Sequence, residues 1–110
     1  MYGSNGGSHN IGLGYRVLYS NSGQSNISLG NQSLYQNTSG CCNIAIGNYT
    51  SSGNYNYSII LGGYATATGN NQFVVGSSSI PIGTITTESC ESSKTWEIRI
   101  NGNSYKVLLA

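Results

Sequence analysis

The sequence predicts an all-β fold, a β-solenoid of about five short coils, from a repeated phrase and from its spacing. Five-residue phrases occupy residues 10–14, 26–30, 43–47, 58–62 and 72–76, and each ends in glycine. These closing glycines are 16, 17, 15 and 14 residues apart. A unit of this length is too short for a helix pair or a propeller blade, but it suits one coil of a solenoid.

Each phrase has the pattern of a short strand. Two branched or aromatic apolar residues stand two positions apart, and this period predicts a strand that buries its apolar pair on one face. The closing glycine lacks Cβ, so the backbone can turn there or a neighbouring coil can approach closely. The structural repeat residues are Ile11, Leu13, Gly14, Ile27, Leu29, Gly30, Ile44, Ile46, Gly47, Ile59, Leu61, Gly62, Phe73, Val75 and Gly76.

A second, weaker alternation follows each of the first four phrases and predicts a second strand per coil. Its pairs stand three and five residues beyond the glycine: Val17 and Tyr19, Ser33 and Tyr35, Thr50 and Ser52, Ala65 and Ala67. Segments rich in Asn, Ser and Gly come next, and we expect these turns to absorb the differences in repeat length.

The organisation along the chain follows from where the repeat stops. We expect residues 1–8 to be a lead-in from a longer chain, residues 9–76 to form the repeats, and residues 77–110 to form a linker and a C-terminal cap. Two alternating segments, 96–100 and 104–109, flank Asn101-Gly102, which is a strong signal for a β-hairpin. We expect this hairpin to cover the open edge of the last coil.

Composition argues against several functions. Charged residues make up 6% of the chain and the formal net charge is +1, so nucleic acid and membrane surfaces are not expected partners. The N-terminus lacks the basic and apolar regions of a signal peptide, and no apolar run is long enough to span a membrane. Cys41, Cys42 and Cys90 form no CxxC pair and lie far from His9, so we expect no metal and no cofactor.

Catalytic groups are scarce. The acidic residues are Glu88, Glu91 and Glu97, there is no Asp, and His9 has no acid near it in sequence. A Ser-His-acid triad therefore cannot be assembled, and we expect no enzyme.

The repeats resemble the head repeats of trimeric autotransporter adhesins and the related repeats of trimeric fibre proteins of phages and large DNA viruses. The resemblance covers roughly residues 9–76 and is closest over 61–69, while the runs 18–23 and 34–40 look more like the viral and phage versions. It implies a left-handed parallel β-roll in a homotrimer around a fibre axis. The coils depart from the family's shortest form in length, and Tyr19 and Tyr35 replace small residues. Association with identical chains is also expected on energetic grounds, because one thin roll buries little apolar surface.

Five of the nine tyrosines are candidate glycan-binding residues, because they follow the glycines or lie in a turn: Tyr15, Tyr49, Tyr55, Tyr57 and Tyr64. Stacked at successive coils, they would bind sugars through their rings together with neighbouring amides. The alternative is packing between chains of the trimer.

Five N-x-S/T sequons, at Asn26, Asn31, Asn37, Asn48 and Asn56, do not indicate glycosylation in a chain this rich in Asn and Ser. We expect Asn10, Asn26 and Asn43 to stack instead as a ladder of side-chain amides.

The leading hypothesis is a structural and adhesive fibre module on a virion surface that presents a host-attachment surface, with a host cell-surface or cell-wall glycan as partner. A bacterial trimeric adhesin head at the cell surface is the first alternative. A polysaccharide-degrading tail-spike fragment is the second, and it needs Glu88 to converge with Glu91 or Glu97. An ice-binding solenoid is less favoured, because only Thr66 and Thr68 form a Thr-x-Thr element.

Overall fold

The structure, a computed structural model, describes residues 7–83 and 94–109. The regular elements of these residues are strands, which form one sheet in the order β1 to β7. The strands are β1 (Ile11–Leu13), β2 (Ile27–Leu29), β3 (Ile44–Ile46), β4 (Ile59–Leu61), β5 (Phe73–Val75), β6 (Lys94–Ile100) and β7 (Asn103–Leu109). Over the described residues, no helix is long and apolar enough to cross a membrane.

Strands β1 to β5 stack in parallel with the phrases in register. Ile11 pairs with Ile27, Ile27 with Ile44, and Ile44 with Ile59, and the last pair joins Ile59 to Phe73. Four turns of chain connect the five strands, so the predicted β-solenoid is confirmed at about four turns. We number the coils 1 to 4 after the strand that begins each one.

The prediction that the apolar pair faces the core is wrong. The residue between the pair points inward: Ser28, Ala45, Ile60 and Val74 are at most 1% exposed, whereas the pair lies on the outer face of the sheet. The interior is narrow, so each three-residue strand contributes one inward residue, which is small at Ser28 and Ala45 and larger at Ile60 and Val74, and its two neighbours lie outside.

The core changes character along the stack. In coils 2 and 3 it contains hydroxyl groups: Ser28 Oγ donates to Ser33 Oγ at 2.6 Å, and Ser33 Oγ lies 2.5 Å from Thr50 Oγ1. Towards the C-terminal end Ile60 and Val74 fill the same space with apolar groups. The buried hydroxyls bond to one another, which avoids the cost of unpaired polar groups in a dry interior.

The second alternation forms turns rather than strands, with one isolated parallel bridge between Ser51 and Thr66. In coils 1 and 2 Val17 and Ser33 are buried, as the alternation predicts. Leu18 and Leu34 are buried beside them, however, and the two tyrosines are only half-buried, so the tyrosine half of each predicted pair is wrong. In coils 3 and 4 both members of each predicted pair are buried, Thr50 with Ser52 and Ala65 with Ala67. The chain takes a positive φ at Leu18 and Leu34, 52° and 50°, and this turn brings the leucines inside.

Each coil turns at two corners built from residues in the left-handed region. Residues before the strands form one column: His9, Ser25, Cys42, Tyr57 and Asn71, with φ between 55° and 60°. Residues after the strands form a second column: Arg16, Gln32, Tyr49 and Tyr64, with φ between 50° and 58°. Between strand and second corner lie the stacked glycines. A Cβ on Gly30, where φ is 133°, would lie 2.5 Å from the Gly47 carbonyl oxygen, so no other residue fits without displacement.

The predicted asparagine ladder is confirmed. The Asn26 backbone N–H donates to Asn10 Oδ1 at 2.8 Å, and the Asn43 N–H donates to Asn26 Oδ1 at 3.0 Å. The Ser58 N–H completes the series by donating to Asn43 Oδ1 at 3.0 Å. A second buried series joins Asn37 to the Asn21 Oδ1 atom at 2.7 Å. The sequons at Asn26 and Asn37 are therefore closed to modification in the folded chain.

Strand β6 pairs in parallel with β5 and antiparallel with β7, so the last two strands form a hairpin that extends the sheet. The ring of Trp96 stacks on that of Phe73, with centroids 5.9 Å apart. Arg99 donates to Thr68 Oγ1 at 2.6 Å and to the Gly102 carbonyl at 2.8 Å. Residues 1–6 of the predicted lead-in and residues 84–93 of the predicted linker lie outside the described residues.

Candidate functional site

The outer face of the sheet carries an uninterrupted apolar surface. Its ten side chains form two columns, Ile11, Ile27, Ile44, Ile59 and Phe73 beside Leu13, Leu29, Ile46, Leu61 and Val75. We call this set the apolar face. Leu13 and Ile11 are 71% and 59% exposed, and Ile46 is 43% exposed. The face follows directly from register, because each phrase places its apolar pair directly above the previous one.

The hairpin continues the apolar face. Val75 pairs with Ile100, and residues opposite each other in a sheet point to the same side, so Ile98 and Ile100 extend the two columns. On the same side of the hairpin lie Trp96 and Val107, which are paired in register and 52% and 37% exposed. Large contiguous apolar patches are typical of interaction sites in soluble proteins, so this surface is the candidate site.

The tyrosine candidates that follow the glycines do not form one ladder. Tyr49 and Tyr64 stack with ring centroids 5.1 Å apart and planes 10° apart. Tyr15 stands one position earlier in its coil, where its carbonyl accepts from the Gln32 N–H at 2.8 Å. Its ring faces the guanidinium of Arg16 at 5.2 Å. A one-residue offset therefore separates Tyr15 from the other two.

The two remaining candidates lie on the other side of the coil. Tyr55 is 37% exposed and its carbonyl accepts the Asn43 amide at 2.8 Å, so its backbone belongs to the asparagine ladder. Tyr57 is 62% exposed and occupies the corner before β4. The structure thus distributes the five predicted tyrosines over two separate sides of the roll.

Sequence reasoning missed a second aromatic pair. Tyr19 and Tyr35 stack with centroids 5.2 Å apart and planes 16° apart, and the Arg16 guanidinium lies 5.8 Å from the Tyr19 ring. The available signal was the identical distance of each tyrosine from the glycine that precedes it, Gly14 or Gly30.

A groove of about 250 Å³ lies between the two aromatic pairs, where coil 2 meets coil 3. Its lining residues are Gln32, Tyr35, Gln36, Tyr49, Thr50 and Ser51. Gln32 Nε2 donates to the Tyr49 hydroxyl at 3.0 Å, and this hydrogen bond links two of the lining residues. We call this cavity the tyrosine groove.

Two of the three cysteines, Cys41 and Cys42, lie within the described residues, and both are free thiols. Cys41 Sγ donates to Asn56 Oδ1 at 3.2 Å, and burial, followed by the adjacent Cys42, raises the pKa of the Cys41 thiol. Cys42 is exposed, and Cys90 lies outside the described residues. Within 7–83 and 94–109, no group of three or more His, Cys, Asp or Glu side chains could hold a metal ion.

The acidic residues are only partly described. Glu97 is exposed on β6 opposite Lys106, and it borders a cavity of about 210 Å³ with Arg99 and Asn71. Glu88 and Glu91 lie outside the described residues, so the carboxylate-pair alternative stays a prediction. His9 is exposed at a corner, as expected for a solvated turn residue.

Among known proteins, no family model, curated protein or solved structure matches the chain.

Proposed function

We propose that the chain is a structural and adhesive module of a trimeric fibre on a virus or phage surface, which holds and presents a host-attachment surface. The apolar face is the single observation that carries this proposal. Its ten side chains already have their final arrangement in one folded chain, yet several are more than one-third exposed to water. Covering them releases water from apolar surface, which favours association by about 25 cal/mol for each Å² buried.

A second copy of the chain is the occupant that fits the apolar face best. Strands in a sheet are about 4.8 Å apart, and only a partner with the same spacing places an apolar pair opposite every one of these pairs. Parallel copies of this chain meet that condition along all five strands. The face is also uncharged, so no like charges oppose one another when identical faces meet.

The number three comes from the resemblance of residues 9–76 to trimeric head repeats. In that arrangement three left-handed rolls place their apolar faces around a common axis. The continuous sheet from β1 to β7 supports it, because Ile98 and Ile100 carry the apolar face into the hairpin. The whole length of the described sheet would then contribute to the interface.

The hairpin also suits a capping role at the C-terminal end of the roll. The Arg99 side chain reaches Thr68 of coil 4 and closes part of the end of the core. The Asn101 side chain bonds to the backbone N–H of Ile82, which holds the linker against the turn. The hairpin covers the edge of β5 and makes β7 the outer strand of the described sheet.

With the apolar face at the axis, the corners and turns face outward and supply the attachment surface. They present tyrosine, asparagine, glutamine and serine side chains with few charges, a composition suited to neutral polar ligands such as glycans. Host cell-surface or cell-wall glycan is the proposed partner.

Chemical cross-linking tests the arrangement directly. In a background with Cys41, Cys42 and Cys90 changed to Ser, Leu29→Cys places a thiol on the apolar face, and Thr66→Cys places a matched thiol on an exposed turn. We expect a tris-maleimide to join three Leu29→Cys chains on a denaturing gel and to leave Thr66→Cys chains single. Equal cross-linking of the two variants, or none for Leu29→Cys, would overturn the trimer.

A further inference from the structure

We infer that the tyrosine groove binds one ring of a neutral glycan chain, an assignment that rests on the proposed attachment function and gives it a location. Three observations carry it: how the groove arises, which aromatic rings line it, and the absence of charge among its lining residues.

The groove arises from a step in coil length. The carbonyls of Gly40 and Tyr55 accept equivalent ladder amides, from Asn26 and Asn43, so they mark matching points in coils 2 and 3. Gly40 stands ten residues beyond the glycine that closes its strand, whereas Tyr55 stands eight beyond Gly47. The two extra residues make coil 2 wider than coil 3 on this side. The step leaves a recess beside Ser51.

Each aromatic wall of the groove belongs to a stacked pair, and Gln32, which precedes Tyr49 in the same corner column, donates to the Tyr49 hydroxyl from coil 2. Tyr35 stacks on Tyr19 in coil 1, and Tyr49 stacks on Tyr64 in coil 4. Each of the two middle rings therefore has its partner on the side away from the groove. The C–H face of a sugar ring is apolar and matches the electron-rich face of an aromatic ring.

Backbone conformation at the second wall points the same way. Tyr49 and Tyr64 hold φ values of 56° and 58°, in a region that Gly and Asn adopt at lower cost. Arg16 and Gln32 hold the same corner in coils 1 and 2 with φ values of 50° and 52°, so the corner by itself does not require tyrosine.

The polar lining is suited to hydroxyl groups and lacks charge. Gln32 and Gln36 supply amides that donate and accept, and Thr50 and Ser51 supply hydroxyl groups. The nearest described cation at this surface, Arg16, lies against Tyr19 in coil 1. An anionic sugar thus gains no ion pair from the lining residues. The volume is below the roughly 300 Å³ at which pockets for whole drug-sized ligands begin, so one ring of a longer chain fits.

The experiment is a titration of the full chain, labelled at its tyrosine rings for NMR, with triacetylchitotriose, maltotriose and sialyllactose. Tyr→Phe variants assign the ring signals. We expect a neutral trisaccharide to shift Tyr35 and Tyr49, and Tyr49→Ala to weaken binding about tenfold, which corresponds to the loss of one stacked ring. The control Thr95→Ala changes an exposed residue of β6 away from the corners and turns, and it should alter affinity less than about twofold.

The outcomes distinguish a failure of the groove assignment from a failure of the proposed fibre function. Shifts confined to Tyr55 and Tyr57 would overturn the groove and leave glycan attachment standing, and a preference for sialyllactose would overturn the neutral class. No shift with any probe at millimolar concentration would overturn both the groove and the glycan part of the proposed function. The cross-linking result on Leu29→Cys stands independently of all three.

Discussion

At the scale of single residues, the fold depends on two sets of positions where the surrounding backbone accepts one residue type, the stacked glycines and the ladder asparagines. The strand-ending glycines stack so closely that Cβ on Gly14 would lie 2.2 Å from the Gly30 carbonyl oxygen. The ladder asparagines replace backbone partners that the short strands cannot supply, because a three-residue strand leaves its flanking N–H groups without strand partners. Both features are residue-specific, and each gives a sharp mutational test.

Gly30→Ala is expected to destabilise the chain by about 3 kcal/mol or more, because the new Cβ meets the Gly47 backbone and φ is 133°. Gly69→Ala is the matched control. Its Cβ would lie 3.5 Å from the nearest atom, an ordinary contact, and stability should change by less than about 1 kcal/mol. Urea unfolding at one fixed protein concentration measures both. Similar losses for the two variants would contradict the stacked-glycine geometry.

Asn43→Ala is expected to cost about 2 to 4 kcal/mol. The Asn43 amide donates to the Tyr55 carbonyl and its Oδ1 accepts from the Ser58 N–H. Removing the side chain therefore leaves these two backbone groups without their hydrogen-bond partners. Asn31→Ala changes an exposed asparagine and should alter stability by less than about 0.5 kcal/mol. The free energy of unfolding in urea measures both variants. An Asn43→Ala chain as stable as Asn31→Ala would contradict a stabilising role for the asparagine ladder.

The two neighbouring thiols are expected to alkylate at different rates. The raised pKa of Cys41 keeps it protonated at pH values where an ordinary thiol, with a pKa near 8.5, is already partly thiolate. Since the thiolate is the reactive form, iodoacetamide should modify the exposed Cys42 first at mildly alkaline pH. The alkylation rate of Cys41 should approach that of Cys42 only as the pH rises further. Rates at each thiol, measured by peptide mapping and mass spectrometry on the unmutated chain, test this, and a faster Cys41 would contradict it.

At the scale of elements, the sequence is enough to place the five short strands and not enough to orient them. Each strand occupies the three middle residues of its phrase, as the period-two pattern predicts. An alternation of period two arises whether the apolar pair or the residue between the pair points inward, so it does not tell which face is buried. In β1 to β3 the small size of Gly12, Ser28 and Ala45 was an overlooked signal for the inward position, but Ile60 and Val74 at that position in β4 and β5 give no such signal.

The surface of the roll was harder to predict, for a related reason. Tyr15 follows its glycine by one residue and Tyr49 by two, and that offset sends them to different columns. The tyrosine groove depends on a two-residue difference between coils 2 and 3. Only the matched carbonyls of Gly40 and Tyr55 reveal where that difference falls.

Paired substitutions on β3 test the orientation of the strands. Ala45→Asp places a carboxylate in the core, where the alanine is 0% exposed, and should abolish the β-sheet circular dichroism at every concentration. Ile46→Asp changes the neighbouring residue on the apolar face, which is 43% exposed, and should retain sheet signal at high protein concentration while association weakens. The opposite pattern would mean that the strand faces the other way.

At the scale of the whole molecule, the chain has a narrow core and also exposes many large apolar side chains on the outer face of its sheet. The described part measures 49 × 25 × 16 Å, an elongated body with one apolar side that runs from β1 into the hairpin. Small or thin folds commonly obtain part of their stability from oligomerisation. The central claim is that three such chains complete one another along this side.

Light scattering over a range of concentrations measures the mass of the native protein in solution and so tests whether three chains associate. We expect a stable mass near three times the 11.6 kDa of one chain, falling to that of a single chain in denaturant. A folded protein that keeps the mass of one chain at all concentrations would contradict it.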